Sequence, residues 1–389
     1  MTSIRILFPF LLLFLNGWGD ILQAQGQTLT YGRESVLHSG ILDEDRKLLI
    51  HTPPGYDEGD QSYPVLYLLD GEAHFFHGSG IAEYLARLGY MPEVIVVGIV
   101  NTDRTRDFSP VAVESEPTSG GADHFMAFLE KELFPFVEKE YRTQPFRILE
   151  GHSFGGTFAV YTLIRKPDLF QAYIAISPYL HYSNSYLLTE AKNNLRSRFR
   201  SPKYFFMCVA NEAEYYEPLK QFAALLRERC GKNISFDYQI FDKETHMSVP
   251  HLGIYYGLKH IFSAWVIPDY RLQAGLASVE AFYAGLSEKY GYSVEVTEAI
   301  LNRLGYLYLQ NNDFKNATEI FLENTRRYPG SPNAWDSLGE AYERSGNAPA
   351  ALECYRKAFE LAQSTGSPNR GYFKANMDRL ENRSGNQVP

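Results

Sequence analysis

The chain has 389 residues, 45% of them hydrophobic and 15% aromatic, which is enough to bury one large domain and a smaller one, and argues against a largely disordered polymer. Its net charge of −9 supplies no basic stripe to neutralise phosphates, so nucleic acid and anionic membrane surfaces are excluded as natural partners, and a small molecule or another protein is favoured.

Residues 1–24, "MTSIRILFPFLLLFLNGWGDILQA", place Arg5 ahead of a short apolar run from Ile6 to Leu15, with Ala24 as a small residue at a cleavage point. This pattern predicts a secretory signal and a periplasmic or secreted mature protein. The run is too short to span a bilayer, although Leu22 is a poor residue at the minus-three position and keeps an N-terminal anchor in play. The chain contains three cysteines, Cys208, Cys230 and Cys354, none in a metal-ligand spacing. They read as small buried hydrophobes, with a Cys208–Cys230 bridge left open by the oxidising compartment.

Short apolar runs then alternate with helical periodicity. The runs are "VLYLLDG" from Val65, "EVIVVGIV" from Glu93, "RILEGHS" from Arg147, "AYIAIS" from Ala172, "YFFMCVA" from Tyr204 and "SFDYQIF" from Ser235. Near-continuous apolarity suits strands buried on both faces of a parallel sheet. Helical patterns fall in "GGADHFMAFLEKELFPFVEKEY", "GGTFAVYTLIRK", "SYLLTEAKNNLRS" and "EPLKQFAALLRERC". The alternation predicts an α/β fold with a mainly parallel, doubly wound sheet over residues 25–268.

From 269 onward no strand pattern remains. Residues 269–296 read as a helical linker, and residues 297–380 as paired helices. Leu304, Gly305, Tyr308, Ala317 and Phe321 recur as Leu338, Gly339, Tyr342, Ala351 and Tyr355, an offset of 34 that carries the tetratricopeptide period and pattern. Trp335 opens the second unit, "SPNRGYFKANMDRLENR" reads as a closing helix, and 381–389 as a disordered tail. A free concave groove would point to recruitment of a protein partner, whereas packing on the first domain or self-association needs no groove.

The chemistry is concentrated in "RILEGHSFGGTFAVYTL", residues 147–163, where a short strand, Gly151-His152-Ser153-Phe154-Gly155 and a helix follow in sequence. This is the nucleophile elbow, a turn so sharp that glycine must flank it and the serine hydroxyl is lifted above the sheet edge. The following helix directs its amide dipoles toward developing negative charge. An activated serine needs a base and an acid in the order Ser, acid, His. His246, in the loop after "SFDYQIF", is the base chosen, with His251 as competitor and His260 on a helical pattern that suits a structural role. Glu212, at the carboxyl end of the strand "YFFMCVA", is the acid chosen and Glu214 the reserve. No metal or cofactor is called for.

Taken together, "YPVLYLLDGEAHFF", "VVGIVNTDRTRDFSP", "EGHSFGG" and "ETHMSVP" resemble the esterase D or enterochelin-esterase-like group of α/β hydrolases, over roughly residues 28–266. The resemblance implies an α/β-hydrolase fold without a lid and a Ser-acid-His hydrolase of esters or thioesters. It assigns the acid to the loop holding Glu212, and the oxyanion amides to Glu72 and Phe154. It implies siderophore lactone, feruloyl or acetyl sugar esters as substrate classes, since the secreted location weighs against a glutathione thioester. Arg104 and Arg106 in "NTDRTRDFSP" are candidates to meet an acidic or catecholate substrate group. The alternative is that Arg106 and Asp107 pair to pin the loop. Tyr179, in "SPYLHYSN", is expected to overhang the pocket. A reading of another class, an inactive hydrolase-like scaffold that binds partners through its repeats, is opposed by the ordered Ser153, Glu212 and His246.

Overall fold

The computed structural model describes residues 31–196 and 199–385. The segment assigned to a secretory signal lies outside the described residues. The first two strands, β1 (Arg33–Ser39) and β2 (Glu44–His51), form an antiparallel hairpin. There follow β3 (Tyr63–Leu68), α1 (Gly71–Arg87), β4 (Ile95–Ile99) and the short α2 (Arg104–Phe108). Next, α3 (Ala122–Phe128) runs through a π turn at Leu129–Leu133 into α4 (Phe134–Glu140). The core continues with β5 (Thr143–His152), α5 (Phe154–Arg165), β6 (Ala172–Ile176), α6 (Tyr182–Asn194), β7 (Lys203–Val209), α7 (Ala213–Cys230), β8 (Ile234–Ile240) and α8 (Val249–Ile261).

These strands form one eight-stranded sheet in the order β1-β2-β4-β3-β5-β6-β7-β8, with β1 and β2 antiparallel and the remainder parallel. The six runs read from sequence are the six parallel strands, and β3, β4, β6 and β7 are buried at every position. Burial from both sides is why they carry no polar alternation. The hairpin was not anticipated. Its β1 is mostly exposed and β2 alternates buried with exposed residues, as an edge wetted on one face should.

Past the sheet, α9 (Asp269–Gln273) and α10 (Leu276–Tyr290) form the linker. It is docked by aromatics. Tyr290 stacks on Tyr204 at 5.6 Å and lies within 5.4–5.8 Å of Phe262, Phe146 and Trp265. Its hydroxyl donates to the Ile261 carbonyl at 3.2 Å. Phe146 and Tyr204 open β5 and β7, so the linker is fixed to the amino ends of the strands. The repeats follow as α11 (Glu298–Gln310), α12 (Phe314–Arg327), α13 (Pro332–Arg344) and α14 (Ala348–Ser364), closed by α15 (Arg370–Gly385). A Cβ at Gly305 would come within 2.5 Å of the Phe321 ring, and one at Gly339 within 2.7 Å of Tyr355. That close approach is the reason for the repeated glycine. Polar side chains join alternate helices, α11 to α13 and α13 to α15: Tyr306 donates to Glu340 (2.9 Å), Asn376 to Asp336 (2.9 Å), and Arg379 and Arg383 to Glu343.

One sequence reading is corrected. The closing helix extends to Gly385, beyond the expected start of a disordered tail, because Glu381 is held by Arg356 at 2.7 Å; residues 386–389 lie outside the described part. Cys208, Cys230 and Cys354 are free buried thiols, in agreement with their reading as small buried hydrophobes, and the bridge left open between Cys208 and Cys230 is not formed.

Candidate active site

The carboxyl end of β5 turns into α5 within one residue, Ser153, whose backbone lies at φ 59, ψ −117. A Cβ on Gly151 would meet the Gly155 carbonyl oxygen at 2.2 Å, so a side chain there would break the turn. The Ser153 amide donates to the Ile176 carbonyl at 2.8 Å, locking the elbow to β6. Phe154 is the first residue of α5 and Glu72 the second of α1, positions whose amides have no acceptor within the helix.

Glu212 caps the strand β7 and precedes α7. Both of its oxygens are engaged: Oε1 faces His246 Nδ1 at 2.5 Å, while Oε2 accepts from Ser177 Oγ at 2.5 Å and from the Ala210 amide at 3.2 Å. The glutamate side chain is one-tenth exposed and the imidazole one-third exposed. Opposite loops hold this pair together, since the Asn211 amide donates to the Glu244 carbonyl at 3.1 Å and Ser248 turns back on Thr245 and Glu244. The ring of His152, the residue before Ser153, lies 4.5 Å from the His246 ring. The geometry thus gathers Ser153, Glu212 and His246 at the carboxyl ends of β5, β7 and β8, where open α/β sheets collect their sites.

The other sequence candidates fall elsewhere. Glu214 stands in the first turn of α7 as a charge beside His181. His251 is exposed and faces His77 at 5.6 Å, and His260 bonds the Ser235 carbonyl at 3.0 Å within the fold. Arg106 does not face a substrate: its guanidinium pairs with Asp107 at 2.7 Å and with Glu44 at 2.9 and 3.0 Å, and Arg46 binds the same two carboxylates. Arg104 is likewise drawn inward. Its Nε and Nη2 clasp Asp70 at 2.5 and 3.1 Å, and Nη2 also donates to the His152 carbonyl at 2.8 Å. The substrate-contact reading of Arg106 therefore gives way to internal pairing, because its fork is filled by Glu44 and Asp107, whereas Arg104 spends only Nε and Nη2 on internal partners. Tyr179 joins an aromatic wall with Phe154 (6.0 Å), His181 (4.2 Å) and Tyr215 (6.0 Å), beside His246.

Sequence reasoning missed three features. Ser177, at a left-handed φ of 40, was detectable only as a polar residue ending a strand next to the nucleophile strand. His74 and His152 are buried imidazoles, with ring centres 5.6 Å apart, and His77 hydrogen-bonds His74 at 3.0 Å. Burial, then the facing His246 and His74, hold His152 down to about 3, and burial with two imidazole neighbours holds His77 down to about 4. Third, Glu150 is fully buried in β5 with neither carboxyl oxygen bonded to a described residue. Burial, helped by the Asp70 charge, pushes it well above the usual carboxylate range.

Against this geometry, residues 39–204 match the family described as Putative esterase. The chain belongs to this esterase family. The esterase also carries tetratricopeptide repeats, matched over 299–329 and 332–365. It is 29% identical over 218 residues to the ferri-bacillibactin esterase BesA of Bacillus subtilis, covering 48% of this chain and 74% of the relative. An IroE-like serine hydrolase from Shewanella oneidensis superimposes with a TM-score of 0.64 at 30% identity, over 76% of this chain and 99% of that one. An uncharacterised protein from Capnocytophaga ochracea, 18% identical, shares the fold over 90% of this chain and 99% of its own, with a TM-score of 0.61. The protein is a carboxylic ester hydrolase with a mainly parallel sheet and an all-helical repeat region. The family match ends at residue 204 and therefore includes Ser153 but neither Glu212 nor His246.

Proposed function

We propose that the esterase works through a Ser153-His246-Glu212 triad and an acyl-enzyme. The observation that carries this reading is the 2.5 Å contact of His246 Nδ1 with Glu212, itself held on its other oxygen by Ser177 and Ala210. With Nδ1–H donated to the carboxylate, Nε2 is left with its lone pair and takes the Ser153 proton as the hydroxyl attacks the ester carbonyl. The Phe154 and Glu72 amides receive the oxyanion; a single such donor contributes about 3–4 kcal/mol to the transition state. His246 returns the proton to the leaving alcohol, then removes one from the water that releases the acid.

The substrate we propose is a siderophore lactone ester. The aromatic wall of Phe154, Tyr179 and Tyr215 offers faces for planar rings, and the Tyr215 hydroxyl, raised by burial and by the neighbouring Glu212 to about 12, stays neutral beside them. The relative BesA is a ferri-bacillibactin esterase, which supports this choice. A periplasmic or secreted location fits such a substrate and follows from the N-terminal signal pattern. Among the described residues no helix is long and apolar enough to cross a membrane. The repeats are proposed to serve protein contacts or self-association, away from the chemistry at the opposite end of the sheet.

Hydrolysis of a short p-nitrophenyl ester, a catecholate trilactone and a feruloyl ester by the mature protein tests this reading. Turnover that favours the trilactone and disappears in folded Ser153→Ala supports it. Equal turnover in the variant would overturn the nucleophile, and a preference for the feruloyl ester would overturn the substrate.

A further inference from the structure

The second residue of α1, Glu72, is the proposed oxyanion donor, and the residue that caps this helix is an aspartate, Asp70, in a left-handed conformation (φ 51, ψ 47). An aspartate at a helix N-cap ordinarily accepts from the second or third amide of the helix. Here those amides belong to Glu72 and Ala73. Yet the Asp70 side chain makes no capping bond among the described residues, and the Ala73 and His74 amides go to its backbone carbonyl at 2.9 and 3.0 Å. Its carboxylate is turned away: Oδ1 accepts from Arg104 Nε at 2.5 Å and Asn101 Nδ2 at 2.6 Å, and Oδ2 from Arg104 Nη2 at 3.1 Å.

The same guanidinium reaches the other side of the site. Nη2 donates to the carbonyl of His152, the residue before the serine, and the cation lies 5.9 Å from the ring centre of Phe154, whose amide is the second proposed donor. Asp70 itself is 5% exposed, and its Oδ2 lies where a Cβ on Gly155 would meet it at 3.3 Å, so an unpaired carboxylate would stand close to both amides. Asn101 completes the brace by donating its amide and side chain to the Glu72 carboxylate at 3.1 and 2.9 Å.

We propose that Arg104 is a positioning residue that withholds the Asp70 carboxylate from its own helix, leaving the Glu72 amide open to the oxyanion, and ties that turn to the serine elbow. This rests on the triad reading given above. Without Arg104 the carboxylate keeps only its Asn101 bond, and Oδ2 is released to cap the Glu72 amide and to place its negative charge beside the one that develops on the substrate.

The test is a comparison of wild type, Ser153→Ala, Arg104→Met, Arg104→Lys and the double variant Arg104→Met/Asp70→Gly on one p-nitrophenyl ester, with folding checked by circular dichroism. Glycine suits the left-handed position and removes the competing carboxylate. Because the loss of one oxyanion donor lowers kcat by about 10²–10³, Arg104→Met should lose about 100-fold in kcat with KM within about threefold. Arg104→Lys should fall between it and wild type, and adding Asp70→Gly should recover at least about tenfold. A loss confined to KM would make Arg104 a substrate contact, and a double variant no better than Arg104→Met would remove Asp70 as the competitor; either result overturns the inference. If wild type and Ser153→Ala turn over equally, it is the triad reading that fails.

Discussion

Glu150 offers a perturbation whose sign can be worked out in full. Its carboxyl is fully buried in β5, both oxygens lack a hydrogen-bond partner among the described residues, and burial with the Asp70 charge keeps it protonated far above the usual range. The unfolded chain releases that proton above about pH 4.3, so from there the folded state binds more protons and wild-type stability falls as pH rises, by about 1.4 kcal/mol per pH unit while the folded carboxyl stays protonated. Glu150→Gln binds no proton in either state, so its stability relative to wild type should widen as pH rises above about 4.3, by about 1.4 kcal/mol per pH unit for as long as the folded wild-type carboxyl stays protonated. The depressed imidazoles of His74, His77 and His152 act in the opposite direction, and only below about pH 6.5, where the unfolded chain begins to take up protons; they are common to both proteins and drop out of the difference. Glu150→Met also removes the unpartnered polar atoms, which carry a penalty of about 1–3 kcal/mol, and should be the most stable of the three at every pH. Urea unfolding at a series of pH values measures this. A Gln-minus-wild-type difference that stays constant as pH rises from about 5 to about 6.5 would contradict a raised Glu150.

Other consequences can be checked in the same protein. Ser177→Ala removes a charge-assisted bond to Glu212 worth about 1.5–3 kcal/mol, and should lower kcat/KM by about 10–100-fold with KM little changed. Steady-state kinetics should also show Glu212→Gln losing far more activity than Glu214→Gln; the reverse order would move the acid to Glu214. Tyr290→Ala should destabilise the linker docking by about 3–5 kcal/mol and open residues 262–298 to limited proteolysis, while ester turnover persists, because the docking lies at the amino ends of the strands. Loss of turnover in the folded variant would contradict that separation.

What the sequence disclosed, and what it hid, follows from how far each signal reaches along the chain. The parallel strands announce themselves because burial on both faces leaves continuous apolar runs, and the elbow because only glycine tolerates its crowding. The hairpin β1–β2 is hidden by Glu34, Asp45, Arg46 and Lys47: a wet edge looks like a loop, and Arg46 is buried only because Glu44 and Asp107 meet it. Glu212 and His246 were findable from chain order and strand ends, although they stand 34 positions apart. Arg104 looked like a ligand for substrate because nothing local accounts for a guanidinium in that loop; its partner Asp70 lies 34 residues earlier and meets it only when β3 and β4 pair. Ser177 and Glu150 were invisible for the same reason, since a strand residue's neighbours across the sheet are not its neighbours in sequence. The repeats were the most legible of all, because a period of 34 carries its packing rule in Gly305 and Gly339.

The most direct test of the central claim is labelling of the folded, mature protein with a fluorophosphonate, followed by peptide mapping. A working triad yields a single adduct on Ser153, formed at a rate that collapses in His246→Ala. An absence of labelling, or an adduct on another residue, would contradict it.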